Sequence, residues 1–388
     1  MKRLKSAAKK IRNAILSILW HVTKNKVKSN KILFVSYSGA QMSDSPLAVY
    51  RALLREYENY KFVWVYNGKR PSKKDHPNTT FVKYSGPLKL RLHYHIFTSA
   101  VILNNARFDF DIRRKDDQIY IQTWHASMGL KKIERDVEAQ LSPYYVNMAK
   151  VDSKNTSLLL SGCKFKRDAY KTNFWYDGEI AEFGTPRNDV FFKDDKAQII
   201  SRVKADLGIG EDKRILLYAP TFRNDNTDYL SAFDEARLRA TLGDGWVIAV
   251  RLHPNEMRRN ASATAGRDVI DTTSYGDLQE LLIATDILVT DYSSTMFDFF
   301  IQKKPCFLFC PDYDAYVSKE RDLNFDLSEL PFPLSRDMDK LAEDITGLDG
   351  EEYAKRLDEF NARIGSYEDG HATERVVEII KNRQKGAK

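Results

Sequence analysis

The feature that most limits the folds open to this chain is a repeated alternation. Short, continuous apolar runs are followed by stretches with helical spacing. Ile32-Leu33-Phe34-Val35 is one such run; a small, polar loop covers 36–45, and Pro46 opens a helix through 56. Further runs lie at 62–66, 80–84, 100–103 and 118–122, with a helix over 87–99 before the third of these. Apolar runs of this length read as buried strands, and their alternation with helices predicts a parallel sheet covered by helices. A polar, aromatic middle follows, with helices near 153–161 and 165–172, a turn-rich loop over 184–189 and a charged helix over 193–207. The alternation then starts again. Strands are expected at 214–218, 246–251, 269–270, 287–290 and 306–309, and helices at 232–241, 276–284, 294–302, 351–363 and 371–384. No internal repeat has a fixed period.

A chain of 388 residues exceeds one ordinary core and fits two domains. Gly208-Ile209-Gly210-Glu211-Asp212 is the expected linker, giving a basic segment over 1–30 and Rossmann-type domains over 31–207 and 213–388. Two doubly wound domains in series predict ligand binding at the carboxyl ends of the strands, in a central cleft which the domains face.

The net charge of +7 is concentrated at one end. Residues 1–31 hold ten Lys and Arg and no acid, so the remainder carries a net −3 once those ten are subtracted from +7. Ala14, Ile15, Leu16, Ile18, Leu19, Trp20 and Val22 form a mostly apolar run inside this segment. It is about half the roughly 20 residues that span a bilayer, and no small-residue cleavage site follows it. A basic amphipathic helix at an anionic membrane surface fits it, as does a helix packed on the body. Nucleic acid is not an expected partner, because the basic residues lack interleaved aromatics. Cys163, Cys306 and Cys310 are too few for a disulfide framework, and one C-x3-C without a second ligand pair does not suit zinc. A reducing, cytoplasmic setting is expected.

Four clusters after predicted strands are the candidate chemistry. Gln122-Thr123-Trp124-His125 leads into small residues Ala126, Ser127 and Gly129, then Lys131 and Lys132. A histidine at a strand's mouth exchanges a proton near neutrality, and the lysines suit an anionic substrate. Ala219-Pro220-Thr221-Phe222-Arg223 places a planar guanidinium where it could reach a phosphate. Arg251 and His253, two apart in Arg251-Leu252-His253-Pro254, share one face of an extended strand end. Thr290-Asp291-Tyr292-Ser293-Ser294 passes from a strand into the helix 294–302, with Ser293 or Ser294 as its N-cap and free amides behind it for phosphate. Each cluster also has an ordinary structural reading: a packed Trp-His pair, a surface arginine, a solvated strand edge, a capped helix. Asp109 and Asp111 read as a charged loop, and His21, His76, His93 and His95 are assigned no chemistry. His371 reads as a helix start. With no acidic cluster evident, neither metal nor cofactor is expected.

Taken in order, Gln122-Thr123-Trp124-His125, Leu130-Lys131-Lys132, Gly184-x-Pro186-Arg187-Asn188-Asp189, Ala219-Pro220-Thr221-x-Arg223, His253-Pro254 and Thr290-Asp291-Tyr292-Ser293-Ser294 resemble the CDP-glycerol glycerophosphotransferase family, over about residues 100 to 375. The family usually has Gly where this chain has Ala126, and often Trp where it has Phe222. The resemblance implies a GT-B-like fold, with an N-terminal acceptor domain and a C-terminal nucleotide-binding domain. It also implies peripheral attachment to the cytoplasmic face of the membrane. The implied reaction moves glycerol phosphate, or a related polyol phosphate, from CDP-glycerol or CDP-ribitol to a lipid-linked glycan or polyol-phosphate acceptor, releasing CMP, in teichoic acid or capsule-type synthesis. His125 would be the base, with His253 as its catalytic counterpart at the donor. Arg223, Arg251, Pro220, Thr221, Thr290, Asp291, Ser293 and Ser294 would hold the donor. Trp124, Lys131, Lys132, Arg187 and Asp189 would face the acceptor. The alternative is a GT-B glycosyltransferase using a nucleotide-sugar.

Overall fold

The computed structural model describes residues 2–56, 60–76, 78–86, 89–223, 230–253, 264–319 and 322–385. Pro254 and the expected helix start at Pro87 lie outside them.

Two all-parallel sheets form in succession. The first contains β1 (Lys28–Val35), β2 (Lys61–Tyr66), β3 (Thr79–Lys83), β4 (Ser99–Asn104), β5 (Ile119–Gln122), β6 (Leu158–Leu160) and β7 (Glu179–Ala181), in the order β3-β2-β1-β4-β5-β6-β7. The second contains β8 (Arg214–Ala219), β9 (Trp246–Val250), β10 (Ile270–Asp271), β11 (Ile287–Thr290), β12 (Cys306–Phe309) and β13 (Leu334–Ser335), in the order β10-β9-β8-β11-β12-β13. In each sheet the chain winds outward to one edge, returns to the middle and winds to the other. The switch falls between β1 and β4 and between β8 and β11, where the loops leaving adjacent strands part and open a crevice.

Period-two alternation assigns the central strands to their layers. Ile32 and Phe34 of β1 pack with Leu47, Tyr50 and Leu53 of helix Asp44–Glu56; Leu33 and Val35 pack on the other face with Leu92, Ile96 and Phe97 of helix Leu90–Thr98. All four β1 residues are fully buried.

Three expectations change. The helix near 153–161 is helix Pro143–Asn155 followed by β6, because Leu158–Leu160 supplies three buried side chains and pairs with β5. The helix over 294–302 is one short turn, Thr295–Phe299, tightening into a 3-10 turn at Phe300–Gln302. The closing helix Ala372–Lys385, expected within the second domain, lies on the first sheet through Val376, Val377 and Ile380. The chain therefore crosses between the sheets twice. It does so after helix Lys196–Leu207, which ends on left-handed Gly208, and after helix Gly350–Ile364, which ends on left-handed Gly365.

The N-terminal helix is Lys2–Val22. Leu19 and Trp20 pack on the core of the first sheet, with Trp20 edge-on to Phe97 at 5.1 Å. Trp20 is thus engaged by the body of the protein. Ile11, Ile18 and Val22 remain 61%, 64% and 54% exposed. Among the described residues, no helix is long and apolar enough to cross a membrane.

Candidate functional site

The crevice of the first sheet is built by the loops leaving β1, β4 and β5. After β5, the Gln122 side chain accepts from the Trp124 amide at 3.0 Å, closing a tight turn in which Trp124 takes φ 54°. This buries the indole against Phe174, at 4.7 Å between ring centroids, and turns the chain so that His125 lies beside it at 4.4 Å. His125 is partly exposed. Its Nδ1 donates to the Asn105 carbonyl at 2.9 Å, the carbonyl being able only to accept. That bond fixes the neutral tautomer with its lone pair on Nε2. Burial lowers the ring's proton affinity; the Asn105 carbonyl and Asp44 oppose this, while Arg187 and Lys166 add to it. The net direction is below the ordinary value of 6.5, so the ring is a base at neutral pH.

The loop after β1 carries Tyr37, Ser38 and Asp44, all in the left-handed region with φ 46°, 53° and 65°. The Tyr37 amide donates to Asn105 Oδ1 at 2.8 Å, so Asn105 orients this loop through its side chain and His125 through its backbone. The Tyr37 hydroxyl donates to Asp44 at 2.6 Å. Burial pushes the Asp44 carboxyl up, but Arg187, the Tyr37 hydroxyl and the Ser45 amide outweigh it and hold the group below its usual range.

Arg187 joins this end to the second sheet. Its Nη1 donates to Asp44 at 2.8 Å, and its Nε and Nη2 donate to Asp298 at 3.1 and 2.8 Å. Asp298 also accepts from Ser127 at 2.7 Å, Asn188 at 3.2 Å and Gln279 at 3.2 Å. Burial disfavours the guanidinium charge, yet Asp298 and Asp44 raise its proton affinity above the ordinary value.

The crevice of the second sheet is more regular. Asp291 accepts from the Thr221 amide at 2.8 and 3.0 Å and from Arg223 at 2.8 Å, and Thr290 Oγ1 donates to the Ala219 carbonyl at 2.7 Å. The turns after β8 and β11 are thereby locked side by side. Arg223 is 2% exposed, bridges Asp291 and Asp312, and donates to the Thr221 carbonyl. It lies near the stacked pair Tyr292 and Tyr316, whose rings are 3.5 Å apart. Pro220 is buried, while Thr221, Ser293 and Ser294 are partly exposed. Ser293 Oγ accepts from the Thr295 amide at 3.3 Å and so caps the short helix; Ser294, at the N-cap position, makes no side-chain cap bond. Arg251 and His253 diverge in use. Arg251 donates to the carbonyls of Thr272 and Tyr275 at 2.8 and 2.9 Å, whereas His253 is exposed with its ring 5.9 Å from Phe222.

Several residues expected at the acceptor have other surroundings. Trp124 is 6% exposed and packs in the core behind His125. Asp189 accepts from the Ala372 and Thr373 amides at 3.1 and 2.6 Å and caps the closing helix. Lys131 sits over the Tyr316 ring at 5.3 Å, and Lys132 pairs with Asp322 at 3.3 Å. Their segment forms an antiparallel bridge to Leu323, so it is a second joint between the halves. Among the described residues, no group of three or more His, Cys, Asp or Glu is placed to hold a metal.

Sequence reasoning missed Tyr37, Asp44, Asn105, Asp298 and Asp312. Asp298 had a signal, being a lone carboxylate between Phe297 and Phe299 in a helix with buried neighbours. Asp44 had only its place in a small-residue loop after a buried strand.

Residues 16–382 match the family described as CDP-glycerol:poly(glycerophosphate) glycerophosphotransferase. A teichoic acid poly(glycerol phosphate) polymerase of Staphylococcus epidermidis is 31% identical over 376 residues, covering 92% of this chain and 51% of the relative. One of Bacillus subtilis is 28% identical over 402 residues, covering 98% of this chain and 53% of the relative. The chain thus spans about half the length of these curated relatives. A solved structure of the wall teichoic acid polymerase TagF superposes with a TM-score of 0.84 at 27% identity, over 100% of this chain and 97% of that one. The two parallel sheets and their switch points are therefore those of a GT-B-like fold, and the chain belongs to the CDP-glycerol:poly(glycerophosphate) glycerophosphotransferase family.

Proposed function

We propose that the protein transfers glycerol phosphate, or a related polyol phosphate, from a CDP-activated donor to a hydroxyl of a membrane-linked acceptor and releases CMP. The observation that carries this is the fixed tautomer of His125: Nδ1 bound to the Asn105 carbonyl, with the lone pair on Nε2 at the switch point of the first sheet. The two sheets are two domains facing a shared cleft, the first for the acceptor and the second for the nucleotide. The acceptor oxygen bonds to the glycerol-side phosphorus as the bond from that phosphorus to CMP breaks. The hydroxyl proton passes to His125 Nε2, and CMP leaves with the electron pair. His253, exposed beside Phe222, meets the charge that develops on CMP. Partly exposed Ser293 and Ser294 are held towards the donor by the Arg223, Asp291 and Asp312 brace, whereas the Thr221 hydroxyl is buried. A TagF variant has been solved after soaking with CDPG, and other relatives are named as a teichoic acid poly(ribitol-phosphate) polymerase and a teichoic acid ribitol-phosphate primase.

The acceptor is presented at a membrane. The exposed stripe Ile11, Ile18 and Val22, on a helix from the segment richest in Lys and Arg, enters an anionic surface while Leu19 and Trp20 hold the helix to the body.

Purified protein offered CDP-glycerol, CDP-ribitol or UDP-sugars with a lipid-linked acceptor in detergent tests the reaction. CMP from a CDP-polyol alone is expected. UDP release would transfer the chain to the nucleotide-sugar reading and withdraw the roles of His125 and His253.

A further inference from the structure

At the opposite end of the first sheet from His125, positive charge collects without a counter-charge. Lys31 is 5% exposed. Its Nζ donates to Thr98 Oγ1 at 2.5 Å and lies 5.1 Å from the Tyr94 ring centre; among the described residues it has no carboxylate partner. Lys61 stands beside it in register on β2, on the same face of the sheet. Arg91 and His95 lie one turn apart on the overlying helix Leu90–Thr98. Burial lowers the Lys31 ammonium to about 7, with Lys28 and Lys61 adding to the effect. Burial likewise lowers His95 to about 3, reinforced by Lys31, Arg91 and Lys28. His95 Nδ1 is buried and has no hydrogen-bond partner among the described residues. An uncompensated buried cation is costly unless an anion completes it. Exposed Lys28 and Lys61 act on the buried ammonium and exposed Arg91 acts with it on His95, a set of charges suited to a tetrahedral oxyanion.

We propose that Lys31, with Lys28, Lys61, Arg91 and His95, forms a site for a phosphate group supplied by the headgroup of an anionic phospholipid. Lys28 and Lys31 lie at the amino-terminal end of β1, a few residues beyond the exposed Ile18 and Val22 of the helix that leads into that strand, and Lys61 opens the neighbouring β2. The site follows from the charges alone; only the source of the phosphate rests on the membrane reading above. It assigns a headgroup-binding function to an end of the sheet that takes no part in the transfer.

The test uses the full chain, vesicles of phosphatidylglycerol or phosphatidylcholine, and inorganic phosphate alone. Lys31→Met should keep or raise the melting temperature while weakening binding to phosphatidylglycerol vesicles about fivefold. The rise in melting temperature that inorganic phosphate gives the unaltered protein should disappear with it. A Lys61→Gln, Arg91→Gln pair, both at exposed positions, should act in the same direction without disturbing the core. Variants that keep both vesicle affinity and the phosphate response would overturn the site. A Lys31-dependent response to inorganic phosphate without vesicle binding by the unaltered protein would support the phosphate site, assign its ligand to free phosphate, and remove the membrane reading.

Discussion

The carboxyl ends of the two sheets are built alike and finished differently. At the first, four non-glycine residues, Tyr37, Ser38, Asp44 and Trp124, hold left-handed backbone around His125. At the second, no described non-glycine residue from Ala219 to Arg223 or from Thr290 to Ser294 does so. Left-handed backbone costs roughly 1–2 kcal/mol at a residue with a Cβ, and it persists where surrounding bonds over-determine it. Here those bonds are the Asn105 contacts and the Asp44–Arg187 pair. The first end spends packing energy to aim the free Nε2 lone pair of His125. The second is an unstrained brace, in which two turns are pinned by one carboxylate.

The contrast is sharpest if the proposed base is removed. His125→Ala should lower CMP release by about 10²-fold or more with donor binding retained; isothermal titration with CDP-glycerol beside a turnover assay reads both. Near-normal turnover by folded protein would end the claim that the strained end carries the chemistry.

Next in size are the two arginine systems. Asp298→Ala strands Arg187 on one carboxylate and leaves Ser127, Asn188 and Gln279 without their acceptor, costing about 3–5 kcal/mol by the rule for broken buried pairs. Asp312→Ala leaves Arg223 still paired with Asp291 and should cost less, about 1–3 kcal/mol. Urea unfolding of both variants orders them, and equal losses would break the distinction between joint and brace.

The pH dependence is a subtler probe. His125 must be neutral to accept a proton, and its environment lowers it from 6.5, so kcat/KM should rise with pH and level off with an inflection below 6.5. Asp44 is the negative charge that raises His125, so Asp44→Asn should move the inflection to lower pH. An inflection above 6.5 in the unaltered protein would contradict the burial argument. Smallest of all, Ser38→Gly should relieve strain at φ 53° and stabilise the fold by up to about 1 kcal/mol, read as a small rise in melting temperature.

Much of the scaffold was legible because its strands are continuous apolar runs. The strand expected at 287–290 and that at 306–309 are β11 and β12, residue for residue. The misreading at 153–161 has a plain cause: three leucines are too few for periodicity to separate strand from helix, and only pairing with β5 decides it. The Trp-His pair was recognised, but the partner that sets its tautomer is a backbone carbonyl 20 positions earlier, which no side-chain pattern reports. Arg223 and Arg187 read as phosphate and acceptor ligands from the sequence, and the carboxylates that they pair with are invisible until the chain folds. Those partners lie 68 and 89 residues away for Arg223, and 111 and 143 away for Arg187.

The double crossing between the sheets constrains how the protein moves. A single linker would let one half swivel and drift relative to the other. Two strands of chain, each leaving a helix through a left-handed glycine at Gly208 and Gly365, act as two pins that hold the halves together. With the Arg187–Asp298 pair and the Lys131–Leu323 bridge, they oppose both twisting and separation. Asp189, which anchors the closing helix by its first amides, sets where the second pin is seated. If the proposed function holds, a donor on one half and an acceptor on the other would meet at a separation that these ties set.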